Sequence, residues 1–123
     1  MDEDGGGTMA ELRIGRRKVG EVTILDLQGD IIIGSGGREL NGALKRLAAG
    51  GERKVLLNLA GTRFVDSSGL GHLVACHNLM RAEGGQLKLL RLTERVRDVM
   101  VITKLVTVFD VFDEEPAALA SYN

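Results

Sequence analysis

The sequence predicts a single domain of the α/β class, in which one mixed sheet of four to five strands has about four helices packed against it. The chain has 123 residues, of which 44% are hydrophobic, and this is enough to form one core. The core must be aliphatic, because there is no Trp and there are few other aromatics. A weakly alternating segment at 12–19 and a more apolar one at 21–28 are separated by Gly20 and predict a hairpin. Beyond them, strand-like and helix-like segments alternate, which favours parallel strands joined by crossovers.

The first helix and the central strand follow from residue spacing. Glycines in the stretch 34–37 would be costly in a helix interior, so a loop is predicted there, with Ser35 as a candidate cap for the next helix. That helix is predicted by apolar residues at helical spacing, namely Leu40, Ala43, Leu44 and Leu47. The short apolar run 55–59 then predicts a buried central strand.

The second half of the chain continues the alternation. A helix is predicted at 68–82, and the leucines of 87–92 predict the next strand. A third helix begins after Thr93, which is interpreted as part of a capping box. The run 106–109 is interpreted as the last strand, and Pro116 fits the first turn of a closing helix.

Composition excludes several classes of function. A net charge of -1 gives no global electrostatic reason to bind nucleic acid or an anionic membrane. The single cysteine, Cys76, excludes an intramolecular disulfide and a cysteine-cluster metal site. Neither a signal peptide nor an apolar run of membrane-spanning length is recognisable. We therefore expect a cytoplasmic protein with no membrane and no nucleic-acid partner, organised as a disordered leader at 1–9 and a domain at 10–123.

The strongest functional signal lies where a strand-like end, Phe64-Val65, runs into a helix. The residues that follow are Asp66-Ser67-Ser68-Gly69-Leu70-Gly71. Asp and Ser are preferred N-caps, and a helix N-terminus offers unpaired N–H groups and about half a positive charge. Such a site tolerates a phosphate. Capping alone explains most sequences of this kind, so the spacing by itself does not select phosphorylation.

The segment 64–71 resembles the signature of the STAS domain, which sulphate-transporter tails and anti-sigma-factor antagonists share. The resemblance covers roughly residues 10–120 and is strongest at 54–92, and it implies the STAS-domain fold. In the antagonists of this family, the serine directly after the aspartate accepts the phosphate. By position this serine is Ser67, with Ser68 as the secondary candidate.

The resemblance also implies partners. The family's kinase is itself the anti-sigma factor, a serine kinase of the histidine-kinase-like ATPase type, and a PP2C-type phosphatase resets the switch. This chain would then be substrate and partner, not an enzyme, with no catalytic residue, no metal and no cofactor. Unphosphorylated, it would bind the anti-sigma factor and release a sigma factor for transcription. The residues expected at the partner-binding surface are Asp30, Asp66, Ser67, Ser68, Gly69, Leu70, Gly71 and His72.

One position departs from the family pattern. The second strand of the family often ends in glycine, an acid, an apolar residue and then aspartate. Gly29, Asp30 and Ile31 fit this order, but Ile32 occupies the place of the aspartate. The missing carboxylate lies in a loop expected near the phosphorylation site, so it bears on which kinase recognises the chain.

Other kinds of site are less well supported. The loop 34–37 lacks the Lys-Ser/Thr of a P-loop. His72 and His77 are five residues apart on one helix, whereas zinc-binding helices usually place two histidines four apart. The cluster of Arg91, Arg95 and Arg97 is either a solvated face or a contact for an acidic partner.

Two further functions stay open at this point. The first is a non-switching STAS subunit of a sensory complex or of a lipid-transport ATPase. The second is an enzyme with a phosphoserine intermediate, against which the absence of a recognisable general base and metal set argues.

Overall fold

The computed structural model describes residues 12–122, so the predicted leader at 1–9 and the extreme ends of the predicted domain lie outside the described residues. The strands are β1 (Arg13–Val19), β2 (Val22–Gln28), β3 (Lys54–Gly61), β4 (Gln86–Leu90) and β5 (Val111–Phe112). The helices are α1 (Gly37–Ala49), α2 (Ser67–Ala82), α3 (Glu94–Ile102) and α4 (Glu115–Ala120), with a short 3-10 helix at Leu105–Thr107. The predicted order of strands and helices is confirmed.

The five strands form one mixed sheet in the order β1-β2-β3-β4-β5. β1 and β2 form the predicted antiparallel hairpin, with Arg13 opposite Gln28 and Val19 opposite Val22. The other neighbouring pairs are parallel. Because β2, β3 and β4 run in the same direction, the segments that leave their carboxyl ends meet at one edge of the sheet, where open α/β sheets commonly bind ligands.

The two faces of the sheet are covered unequally. On one face α1, α2 and α3 enclose the main aliphatic core, which includes Leu25, Leu27, Leu40, Leu44, Leu57, Leu59, Leu73, Met80, Leu89 and Met100. On the other face the short helix α4 packs a smaller cluster through Ala118. Arg17 ties α4 to the hairpin, because its guanidinium donates to Asp26 at 2.7 Å and to Glu115 at 2.6 Å.

The prediction of a strand at 106–109 is wrong. The chain forms the 3-10 helix there, and β5 begins at Val111. Phe109 is buried in the main core against the edge of the His77 ring, whereas Val108 is exposed. The ladder to β4 starts only when Leu89 donates its N–H to the carbonyl of Asp110. Tertiary packing of one aromatic side chain has therefore overridden the β-branched composition of this segment.

The expected cap of α1 is also corrected. The N-cap is Gly36 and not Ser35. Ile32 and Ser35 exchange two backbone hydrogen bonds of 2.9 Å, which reverses the chain before the helix starts. The side chain of Glu39 then accepts the Gly36 N–H at 3.1 Å and supplies the capping contact.

Candidate functional site

The segments that follow β2 and β3 are joined at the carboxyl edge of the sheet. Ile31 donates its N–H to the carbonyl of Phe64 at 3.0 Å, and Asp66 donates its N–H to the carbonyl of Ile31 at 3.3 Å. Ile31 and Val65 form a short parallel bridge. The pairing of β2 with β3 therefore continues past the strands themselves and holds Asp66 beside the 30–33 loop.

Asp66 is both the N-cap of α2 and a clamp on this loop. One carboxylate oxygen, Oδ1, accepts the N–H of Gly69 at 2.8 Å, and the other, Oδ2, accepts the N–H of Ile33 at 2.8 Å. The N–H groups of Gly69 and Ile33 hold the pKa of Asp66 below its ordinary value of 3.8. The side chain is therefore an ionised carboxylate at neutral pH, and its charge lies at the start of the helix.

The two candidate serines differ in exposure. Ser67 is the first residue of α2, one position earlier than the predicted start of this helix, and it is exposed. Ser68 is half-buried, and its N–H faces the Asp66 carboxylate. A phosphate on the hydroxyl of Ser67 would lie at the N-terminus of a 16-residue helix, where unpaired N–H groups favour an anion.

The other predicted contact residues fall into two groups. Asp30 and Gly71 reach the surface, and the carboxylate of Asp30 accepts the N–H of Phe64 at 3.3 Å. Gly69 and Leu70 are buried, with Gly69 packed directly on the carbonyl of Ile31. These two residues therefore shape the site without forming its exposed surface.

The ring of His72 lies against Gly37 at the start of α1, and it lines a cavity of about 620 Å³ together with Ile32 and residues 34–39. The side-chain amide of Asn41 donates to Nδ1 of His72, and the carbonyl oxygen of the same amide accepts the Cys76 thiol at 3.2 Å. Burial raises the pKa of the Cys76 thiol to about 12, so this thiol is protonated and donates. Cys76 is a free, buried cysteine. His72 contacts Asn41, and no contact joins it to Asp30 or Asp66.

The structure adds an apolar surface that the sequence analysis did not assign to the site. Ile33 is 76% exposed and Phe64 is 37% exposed. Beside them, a groove of about 270 Å³ is lined by Asp30, Ile32, Phe64, Val65, Asp66, Arg95 and Val99. The guanidinium of Arg95 lies 4.6 Å from the centre of the Phe64 ring, which fits a cation–π contact. The sequence feature that could have indicated this surface is the apolar triplet 31–33, because it lies in a segment predicted to be a loop.

Neither a metal site nor a membrane span is found among residues 12–122. In the part of the chain that the structure describes, no three His, Cys, Asp or Glu side chains are grouped so that they could hold a metal ion. His72 and His77 contact different neighbours, Asn41 and Phe109 respectively. Within the same residues, no helix combines the length and the apolar character needed to cross a bilayer.

Substitution of Asp66 tests the clamp. Asp66→Ala removes the cap and leaves the Ile33 N–H without its acceptor, so we expect the free energy of unfolding to fall by about 2 kcal/mol. Asp66→Asn keeps one carbonyl oxygen and should lose about 1 kcal/mol. Because folding lowers the pKa of Asp66, the advantage of wild type over Asp66→Asn should be complete above pH 3.8 and disappear as the pH falls through the lower folded value. Urea unfolding of both proteins from about pH 2 to 7 measures this; a difference that does not change with pH would contradict it.

The chain is similar to proteins of a known family. The family model described as the STAS domain matches residues 13–118. A protein of Bordetella bronchiseptica named as an anti-sigma factor antagonist, BtrV, is 29% identical over 105 residues, which are 85% of this chain and 90% of that protein.

Solved structures share the fold. A Thermotoga maritima protein described as an anti-sigma factor antagonist superposes with a TM-score of 0.82 at 22% identity, covering 89% of this chain and 93% of that chain. The phosphorylated form of Bacillus SpoIIAA superposes with a TM-score of 0.67 at 19% identity, covering 88% and 97%. The five-stranded mixed sheet with four helices is thus the arrangement of these neighbours.

Proposed function

The chain belongs to the STAS domain family, and from that premise we propose that it is an anti-sigma factor antagonist whose binding is switched off by phosphorylation of Ser67. The partner is an anti-sigma factor that is also a serine kinase of the histidine-kinase-like ATPase type. A PP2C-type phosphatase restores the unmodified serine. Acting on soluble partners of this kind, the chain works in the cytoplasm and regulates transcription that depends on a sigma factor.

One observation carries this proposal: Ser67 is the exposed first residue of α2, directly after an aspartate whose two carboxylate oxygens each accept a backbone N–H group. Because both Asp66 oxygens accept backbone N–H groups, this carboxylate is held in place directly before the serine. The exposed position of Ser67 leaves its hydroxyl within reach of a kinase. The BtrV likeness, at 29% identity, supports the same class of protein.

The surroundings of Ser67 explain how a phosphate would act. Unmodified, the exposed Ile33 and Phe64 side chains offer apolar contact area beside the serine. A phosphoserine adds about -1.5 to -2 charges at neutral pH. This charge would lie beside the ionised Asp66, so a partner that covers the surface would have to desolvate both anions. The helix N-terminus can hold the phosphate without unfolding, so the block should be local.

Mapping of the phosphate tests the proposal. The purified chain is mixed with MgATP and each histidine-kinase-like ATPase encoded beside it, and the modified residue is located by mass spectrometry. We expect one phosphate, on Ser67, that a PP2C-type phosphatase removes. Ser67→Ala should abolish the labelling and the matched Ser68→Ala should retain it. Label absent from both serines of the wild-type chain would rule out the switch.

A further inference from the structure

A second groove lies between α1 and α2, away from the 30–33 loop. It has a volume of about 560 Å³ and is lined by Arg38, Asn41, Gly42, Lys45, Ala75 and Leu79. Its floor is apolar, from Ala75 and Leu79 of α2, and two exposed cations, Arg38 and Lys45, stand on its α1 side. The proposed function uses none of these residues.

The α1 side of the groove is cationic. α1 carries Arg38, Lys45 and Arg46 against one carboxylate, Glu39, in a chain whose net charge is -1. The cation of α2, Arg81, lies one turn after His77 and not on the side of Ala75 and Leu79. Glu39 is engaged as the capping acceptor of the Gly36 N–H. Among residues 12–122, none of these three cations of α1 forms an ion pair, whereas Arg16, Arg17 and Lys18 of β1 pair with Asp26, Glu52 and Glu115. The surface around the groove is therefore a positive patch without internal neutralisation.

A glycine inside α1 deepens the groove. Glycine is the least favoured residue in a helix interior apart from proline. A Cβ added to Gly42 would meet only the guanidinium of Arg46, at 3.3 Å, which is the far end of a flexible side chain. Packing of the fold therefore does not require a glycine at this position. The missing side chain of Gly42 leaves space in the groove opposite Ala75.

The groove is continuous with the switch along α2. Ser67, Gly71 and Ala75 are four residues apart, so they follow one another on neighbouring turns of the helix. Gly71 and Ala75 are both exposed. Ala75 lies about 12 Å from Ser67 along the helix axis. An interface of ordinary size extends over this distance.

We propose that this groove binds an acidic amphipathic helix of the anti-sigma factor, so that the partner holds the chain at the groove as well as at Ser67. This inference rests on the proposed function. The apolar side of such a helix would pack on Ala75 and Leu79, in the helix-in-groove mode. Its carboxylates would meet Arg38 and Lys45. The groove would therefore recognise a helix whose apolar side is flanked by carboxylates.

Titration calorimetry tests the inference. The ligand is the ATPase that phosphorylates Ser67, added with ADP to the unphosphorylated chain at about 50 and 300 mM salt. The double variant Arg38→Glu/Lys45→Glu should bind about tenfold more weakly at low salt and show less salt dependence. Lys104→Glu, an exposed charge reversal after α3, should stay within about twofold of wild type.

A second variant separates binding from folding. Gly42→Gln fills the groove without changing charge, and it replaces glycine by a better helix former. We expect it to raise the melting temperature while it weakens binding. Normal affinity of both groove variants for an ATPase that still phosphorylates Ser67 would overturn the inference and leave the proposed function standing. Failure of wild type to bind any such ATPase would overturn both. Self-association of the wild-type chain that Arg38→Glu/Lys45→Glu abolishes would assign the groove to a second copy and overturn the inference.

Discussion

Gly69→Ala is expected to lower the free energy of unfolding by about 3 kcal/mol, at the upper end of the usual cost of overpacking. An added Cβ would lie 1.9 Å from the carbonyl oxygen of Ile31 and 2.9 Å from Cγ1 of Val65. The Ile31 carbonyl is backbone, and it also accepts the Asp66 N–H, so it cannot move without breaking the join between the 30–33 loop and α2. Thermal unfolding should show a fall in melting temperature of about 10 °C.

Gly71→Ala is the matched control for this substitution. It lies two residues later in the same helix, and an added Cβ there would meet nothing within 4 Å. Because alanine is favoured over glycine in a helix interior, Gly71→Ala should be neutral or stabilising by up to about 1 kcal/mol. Similar losses for the two variants would mean that glycine is required along this helix for a reason other than the contact of Gly69 with Ile31.

Ser67→Asp is expected to weaken binding to the anti-sigma factor by about 100-fold, or about 2.8 kcal/mol. It places a second carboxylate directly after Asp66 on the partner surface, and a phosphate would add still more charge. The fold should be unaffected or slightly more stable, because an acid in the first turn of a helix is favourable. Titration calorimetry, together with circular dichroism spectra that superpose on wild type, measures both effects.

Ser67→Asn separates charge from size. Asparagine has nearly the shape of aspartate and no charge, so this variant should bind within about threefold of wild type. The loss caused by Ser67→Asp should also shrink as the salt concentration rises, because repulsion between exposed charges is screened. Equal binding by Ser67→Asp and wild type would mean that charge at this position is not the switch.

Much of the architecture was accessible from local patterns. The order of strands and helices, the hairpin around Gly20 and the mixed sheet are confirmed, because hydrophobic periodicity and glycine punctuation report local structure directly. The STAS resemblance drawn from 64–71 is confirmed by the family match over 13–118. The prediction of a strand at 106–109 failed. Phe109 is buried against α2, and this long-range contact is not encoded in the composition of the segment 106–109.

Some features of the candidate site follow from local sequence, and others depend on tertiary contacts. Asp66 and Ser67 as candidate caps of a helix are properties of a few adjacent residues, and sequence alone identified them, although it placed the start of the helix one residue late, at 68. Whether Ser67 or Ser68 is the more exposed depends on where α2 begins, which the packing of its first turn against Ile31 decides. The direction of His72 depends on Asn41 of another helix.

By itself, therefore, the sequence determined the family, the order of the elements and the residue on which the proposed switch turns. Only the tertiary structure decided that Asp66 clamps Ile33, that Gly69 must lie against a carbonyl, and that α1 and α2 enclose a cationic groove. The physical reason is the range of the interactions. Capping and periodicity act within a few residues, whereas the site is built by contacts between segments more than 30 positions apart.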